Sequence, residues 1–203
     1  MTDTLLPELP AGAFAKQDGG DDLAFYAPPR LVTHIDAGAI RALTACYATV
    51  IPDKARVLDL MSSWISHLPT DRAYAEVIGH GMNGEELAAN PQLDRWFVQD
   101  LNRDATLPLA DATLDAALCC VGVQYLQQPV EVFAAVRRVL VPGAPFVVSF
   151  PTAAFRPRQS PSGDRWIRPA MPRWYAFIWN APVSTLSTWW CLPMDRPAIP
   201  WSR

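Results

Sequence analysis

Residues Arg56–Pro69, RVLDLMSSWISHLP, decide how the rest of the chain is read. Val57, Leu58 and Leu60 form a short apolar run interrupted only by Asp59, and the run breaks at once into the polar turn Met61-Ser62-Ser63. A strand covered on both faces reads as nearly continuous apolar sequence, so this stretch predicts a buried strand ending in a ligand-facing loop. Working downstream, AYAEVIGHG predicts a second strand at about residues 73–78, RWFVQDL a third near 96–99, LDAALCCVGV a fourth and PFVVSF a fifth. Helical patterns stand between them. NGEEL starts one helix with two carboxylates in its first turn, where the positive end of the helix dipole favours them. Pro129 opens another, with Val132, Phe133, Val136, Val139 and Leu140 as its apolar stripe and Pro142-Gly143 as its stop. Alternation of this kind predicts an α/β fold, a doubly wound parallel sheet. Ligands of such sheets sit beyond the carboxyl ends of the strands, near the point where strand order reverses.

Working upstream, Ile40, Leu43, Tyr47 and Val50 recur at three- and four-residue intervals behind Asp36, a helix N-cap candidate, and Pro52-Asp53 ends the pattern. Residues 1–35, with Pro7, Pro10, Pro28, Pro29 and Gly19-Gly20, read as a loosely held arm. Within the arm, DDLAFYAPPR has the look of a stretch that docks through Phe25 and Tyr26 and then turns. The expected organisation is an arm over 1–35, an α/β domain over 36–150 and a distinct tail over 151–203. The tail holds nine prolines, six of the eight tryptophans, seven arginines and no lysine. Prolines so frequent exclude ordinary helices and central strands, so the tail is expected to be poorly ordered.

The chain has 203 residues, half of them hydrophobic, and a net charge of −3. That suits one sizeable core and gives no basic footprint of the kind phosphate backbones select, so no nucleic acid partner is expected. No run approaches the ~18 apolar residues of a membrane span, and MTDTLLPELPAGAF lacks a signal-peptide pattern. A cytoplasmic protein without membrane association is the expectation. Cys46, Cys119, Cys120 and Cys191 show neither a disulfide nor a metal spacing, and His34, His67 and His80 are scattered. Reduced core thiols and no metal follow. Oligomeric state is not legible.

In order and spacing, VLDLMSSWISHLP, VIGHGMNGEELAANPQLDRWFVQDLN, LPLADATLDAALCCVGVQYLQQPVEVF and VRRVLVPG resemble the class I S-adenosylmethionine-dependent methyltransferases, methyltransferase type 11 in particular. Within them the resemblance is to an uncharacterised methyltransferase-like branch with DLMSSWxSHLP as its first loop. It spans Arg56 to Phe150 and implies a Rossmann-like methyltransferase fold, here truncated after the fifth strand. S-adenosylmethionine is the implied cofactor, and a small molecule the implied methyl acceptor. By resemblance, Asp59, Met61, Ser62 and Ser63 would face the methionine moiety and ribose. Gly79, Gly81, Met82 and Asn83 would lie beside the ribose hydroxyls. Asp100, backed by Leu101, would accept from the adenine amino group, a donor that suits a carboxylate. Val121 and Gly122 would lie under the transferable methyl. Gln124 and Tyr125 read either as core packing or as a substrate-facing wall. No catalytic residue is named, because methyl transfer depends chiefly on orientation.

Two departures stand out. The glycine-rich turn usual after the first strand is replaced by Met61-Ser62-Ser63, and the acid that usually grips the ribose hydroxyls has no counterpart at Gly81, leaving Asn83 as a neutral and weaker substitute. The tail adds a third. Codons built from the last base of each residue's codon and the first two of the next permit F-S-N-R-C-F-P-T-K-A-V-A-I-W-R-S-L-D from Phe150 onward, the pattern by which the resembling family continues. A frameshift near Phe150 is the expectation. The alternatives to an active methyltransferase are a non-catalytic S-adenosylmethionine-binding module and an inactive fragment. A nicotinamide-binding domain would need G-x-G-x-x-G after the first strand and an acid ending the second.

Overall fold

In the computed structural model, β1 (Arg56–Leu60) pairs in parallel with β2 (Glu76–Gly81) on one side and β4 (Ala116–Cys120) on the other. The described residues are 14–16, 19–151, 174–179, 189–193 and 199–200. β3 (Arg95–Val98) lies outside β2, and β5 (Phe146–Pro151) outside β4. The parallel order is therefore β3-β2-β1-β4-β5, a parallel sheet of the kind the alternation predicts. Chain order reverses between β1 and β4, so a crevice opens where those two strands end.

Strand alternation assigns side chains to two apolar layers. Val57, Val77, Ala116, Leu118 and Val147 face one way and pack with Leu43 and Tyr47 of the helix α2 (Ala37–Val50). Asp36 caps α2, its Oδ1 accepting from Ala39 N at 2.9 Å. Leu58, Leu60, Ile78, Cys119, Phe146 and Val148 face the other way, against Val132, Val136 and Val139 of the helix α4 (Pro129–Val139). Those three valines are fully buried, and each such burial contributes about 1.5–3 kcal/mol.

The β1–β2 crossover differs from the expected pattern, since its residues 61–75 contain no helix. Side chains from elsewhere serve the peptide groups that a helix would have paired internally. Met61 N donates to His80 Nδ1, Asn90 Nδ2 donates to Ser63 O, Thr44 Oγ1 to His67 O and Gln92 Nε2 to Leu68 O. β2 also begins and ends about three residues later than the sequence predicts, because Gly79-His80-Gly81 reads as a turn but continues the ladder with Trp96, Phe97 and Val98. Asn83 caps the short helix α3 (Gly84–Ala88).

The arm is docked from residue 19 onward, not loosely held. It carries a short helix, α1 (Asp22–Tyr26), capped by Asp21. Arg103 Nη2 donates to Asp21 Oδ1 at 2.8 Å, Asn102 Nδ2 to Asp22 Oδ2 at 3.2 Å and Trp64 Nε1 to Val32 O at 3.0 Å. Residues 1–13 and most of the expected tail lie outside the described residues. Three antiparallel backbone segments of the tail are described: β6 (Trp174–Trp179), β7 (Trp189–Pro193) and β8 (Ile199–Pro200). They extend the sheet beyond β5, with Val147 opposite Ile178, so the parallel part stops at β5 while β5 itself is not left as an edge.

Candidate functional site

A cavity of about 180 Å³ opens at the carboxyl ends of β1 to β4, roofed by the arm. Of the residues the sequence nominates, Asp59, Met61, Ser62, Ser63, Gly81, Met82, Asn83, Asp100, Leu101, Val121 and Gly122 all line it. Gly79 does not, and the reason is the later end of β2: it sits inside the strand, where a Cβ would fall 2.4 Å from Leu93 Cδ1. Tyr125 lines the cavity, whereas Gln124 is buried behind it and donates from Nε2 to Val121 O at 2.9 Å.

The two loops nearest the switch point both turn through the left-handed region. Met61 has φ 57° and Val121 φ 56°. Such a conformation is uncommon for any non-glycine residue and is an outlier for a β-branched one. The strain that Ser would have carried in place of glycine thus falls on Met61. His80 explains how Met61 is held. Its Nδ1 accepts from Met61 N at 3.1 Å, which places the ring proton on Nε2, 3.0 Å from the carbonyl of Gln99, while its own carbonyl accepts from Ser62 N at 2.6 Å. Burial pushes the imidazole down to about 4, against the hydrogen bond to Gln99, so the ring is neutral at pH 7. One side chain therefore joins the ends of β1, β2 and β3.

Electrostatics divides the cavity's acids. Asp59 is almost fully buried, and burial pushes it up to about 6 against hydrogen bonds from the Ser62 and Ser66 hydroxyls; the Ser62 bond is 2.6 Å. Asp100 accepts from Asn102 N at 2.9 Å and pairs with Arg103 Nε at 3.3 Å. The Cys120 thiol, also on the wall, is pushed up to about 12 by burial, which leaves it protonated and a poor nucleophile. Cys46, Cys119 and Cys120 are free thiols, and among the described residues no cluster of three or more His, Cys, Asp or Glu could hold a metal ion. No helix among them is long and apolar enough to cross a membrane.

Asn83 does not stand free as a substitute acceptor. Its Oδ1 takes Glu85 N and Glu86 N, and its Nδ2 donates to Tyr26 O and Ala27 O, each at 2.9 Å. Gly81 explains why no acid stands at the end of β2, because a Cβ there would fall 2.5 Å from the backbone oxygen of Ser62. Sequence reading missed His80, Glu86, Asn90 and the arm's contribution. An isolated histidine between two glycines was the only signal for the first, and the others depend on contacts between residues distant in sequence.

The cavity lies at the switch point of a doubly wound parallel sheet, where such sheets take their ligands. Residues 62–148, a little under half of the chain, match the family model described as Methyltransferase domain. Among solved structures the chain is similar to an S-adenosylmethionine-dependent methyltransferase from Mesorhizobium loti, at 21% identity over 54% of this chain and 53% of that one, with a TM-score of 0.43. It is similar to one from Aquifex aeolicus at 15% identity, 62% and 72% coverage and a TM-score of 0.47. A third, from Archaeoglobus fulgidus, has 18% identity, 55% and 52% coverage and a TM-score of 0.47. The chain spans about half the length of the first and third. No curated protein matches it.

Proposed function

We propose that the cavity binds S-adenosylmethionine and that the domain transfers the methyl group to a small-molecule acceptor. The observation that carries this is the convergence of four loop ends on one cavity, with Asp100 at the end of β3 and the left-handed turns at Met61 and Val121 beside the switch point. The residues fit such a group. Asp100 offers a carboxylate with acceptor positions beyond its two partners, suited to an exocyclic amino donor. Ser62 and Ser63 would offer small hydroxyls, and Met61 its backbone, to the methionine moiety and ribose, while Met82 and Asn83 would stand beside the ribose. Val121 and Gly122 would form the floor beneath the methyl. When bound, the cofactor supplies an electrophilic sulfonium methyl and its own leaving group, so the domain's part is to orient and to exclude water.

A second reading, a cofactor-binding module without turnover, is favoured by the closed position at Gly81. Calorimetric titration with S-adenosylmethionine and S-adenosylhomocysteine tests the first claim, with saturable one-to-one binding expected; no heat of binding would reject it. Turnover of a labelled methyl group then separates enzyme from module. The organisation into an arm over 1–35, a domain over 36–150 and an out-of-frame tail from about 151 is part of this proposal, supported by the composition break and the recoverable shifted pattern. Nucleotide sequence across the Phe150 codon from an independent isolate checks it, and an unbroken frame with the same tail would reject it.

A further inference from the structure

We propose that Glu86 is the acceptor for the vicinal ribose hydroxyls of the cofactor, replacing the carboxylate that Gly81 cannot carry; this rests on the cofactor reading above. Glu86 lines the cavity from α3, between the loop after β1 and the turn after β2. Its carboxylate is already oriented: Oε2 accepts from Ser63 Oγ at 2.5 Å and Oε1 accepts from Arg30 N at 2.7 Å. An ionised carboxylate has about four acceptor positions, so each oxygen keeps one more. A vicinal diol offers two adjacent hydroxyl donors, which match the two oxygens of one carboxylate, and charge-assisted bonds of this kind are roughly twice as strong as neutral ones.

Asn83, the other polar side chain at this turn, is fully bonded, and the remaining carboxylates are held at other strand ends or on the arm. Asn83 has both ends of its amide bonded to backbone, and Asp22, on the arm, pairs with Lys16 and with Asn102 of the loop after β3. Asp59 is held by Ser62 under the β1 loop, and Asp100 stands at the end of β3 with Arg103. Because Arg30 belongs to the arm, the same carboxylate that receives the ribose also fixes the roof of the cavity.

The test is calorimetry on the full chain with S-adenosylhomocysteine and its 2′,3′-dideoxy analogue. Wild type is expected to bind the analogue about 10- to 100-fold more weakly, the range for losing charge-assisted hydrogen bonds. Glu86→Gln is expected to weaken S-adenosylhomocysteine binding by a similar factor and to reduce discrimination between the two ligands to about threefold or less. A variant that weakens both ligands equally and keeps the wild-type ratio would overturn the proposal, leaving Glu86 as a tether of the arm alone. The wild-type ratio requires no variant to fold, and equal affinities for the two ligands would also overturn it. Wild type that binds neither ligand rejects the cofactor reading and this proposal with it.

Discussion

The connection after β1 and the connection after β4 face the same cavity but are stabilised by opposite means. Residues 122–139 form a 3-10 turn (Val123–Tyr125) and then α4, whose peptide groups pair internally and whose valine stripe is buried. Residues 61–75 have no helix and rely on His80, Asn90, Thr44 and Gln92. The first is held by apolar area and tolerates many sequences of the right pattern. The second is held by individual donors and acceptors, each of which leaves a buried partner unsatisfied when removed. Binding geometry thus depends on the loop whose stability is concentrated in a few polar side chains.

That contrast can be broken most strongly from the apolar side. Phe146→Ala removes a fully buried ring that meets Phe133 edge-on at 5.2 Å, and about 3–5 kcal/mol of stability should be lost in denaturant unfolding. A loss below about 1 kcal/mol would show that the α4 layer is not the main core. From the polar side, His80→Leu should cost about 2–4 kcal/mol, because Met61 N and Gln99 O lose their partner together.

pH separates the two sides further. Asp59 has its folded value raised from 3.8 to about 6, so its contribution is greatest below the unfolded value and falls as pH rises toward 6. His80 has its folded value lowered from 6.5 to about 4, so its contribution is complete above 6.5 and falls as pH drops toward 4. Over the shared window the slopes oppose each other. Stability of the His80→Leu variant should therefore fall with rising pH across pH 4–6, and that of Asp59→Asn should rise with pH across the same interval. Each slope is at most about 1.4 kcal/mol per pH unit. Equal profiles for the two variants would contradict the assignment. The smallest effect is expected for Asn90→Ala, which frees Ser63 O and Ser66 Oγ and should cost about 1–3 kcal/mol. Its loss should appear as faster amide exchange in residues 61–66 with α4 unchanged.

How far the fold could be read follows the same division. Asp36, the α2 periodicity and the valine stripe of α4 were legible because a repeating apolar face has one stable solution. The end of β2 was not, since Gly79 and Gly81 weaken a strand pattern on their own; Gly79 is kept in the ladder by parallel partners on both sides and Gly81 by its partner in β3. Most of the nominated cavity residues were legible through order and spacing. Glu86 was not: it read as a helix-start carboxylate, and only the meeting of Ser63 and Arg30 on it gives it a place in the cavity. The docking of the arm was equally hidden, because the bonds that fix it join residues such as Asp21 and Arg103.

Hydrogen exchange with and without saturating S-adenosylhomocysteine tests the central claim most directly. The account predicts concerted protection of residues 61–66, 81–83, 100–102 and 121–122, the four loop ends that line the cavity. Protection confined to other segments, or none at saturation, would contradict it.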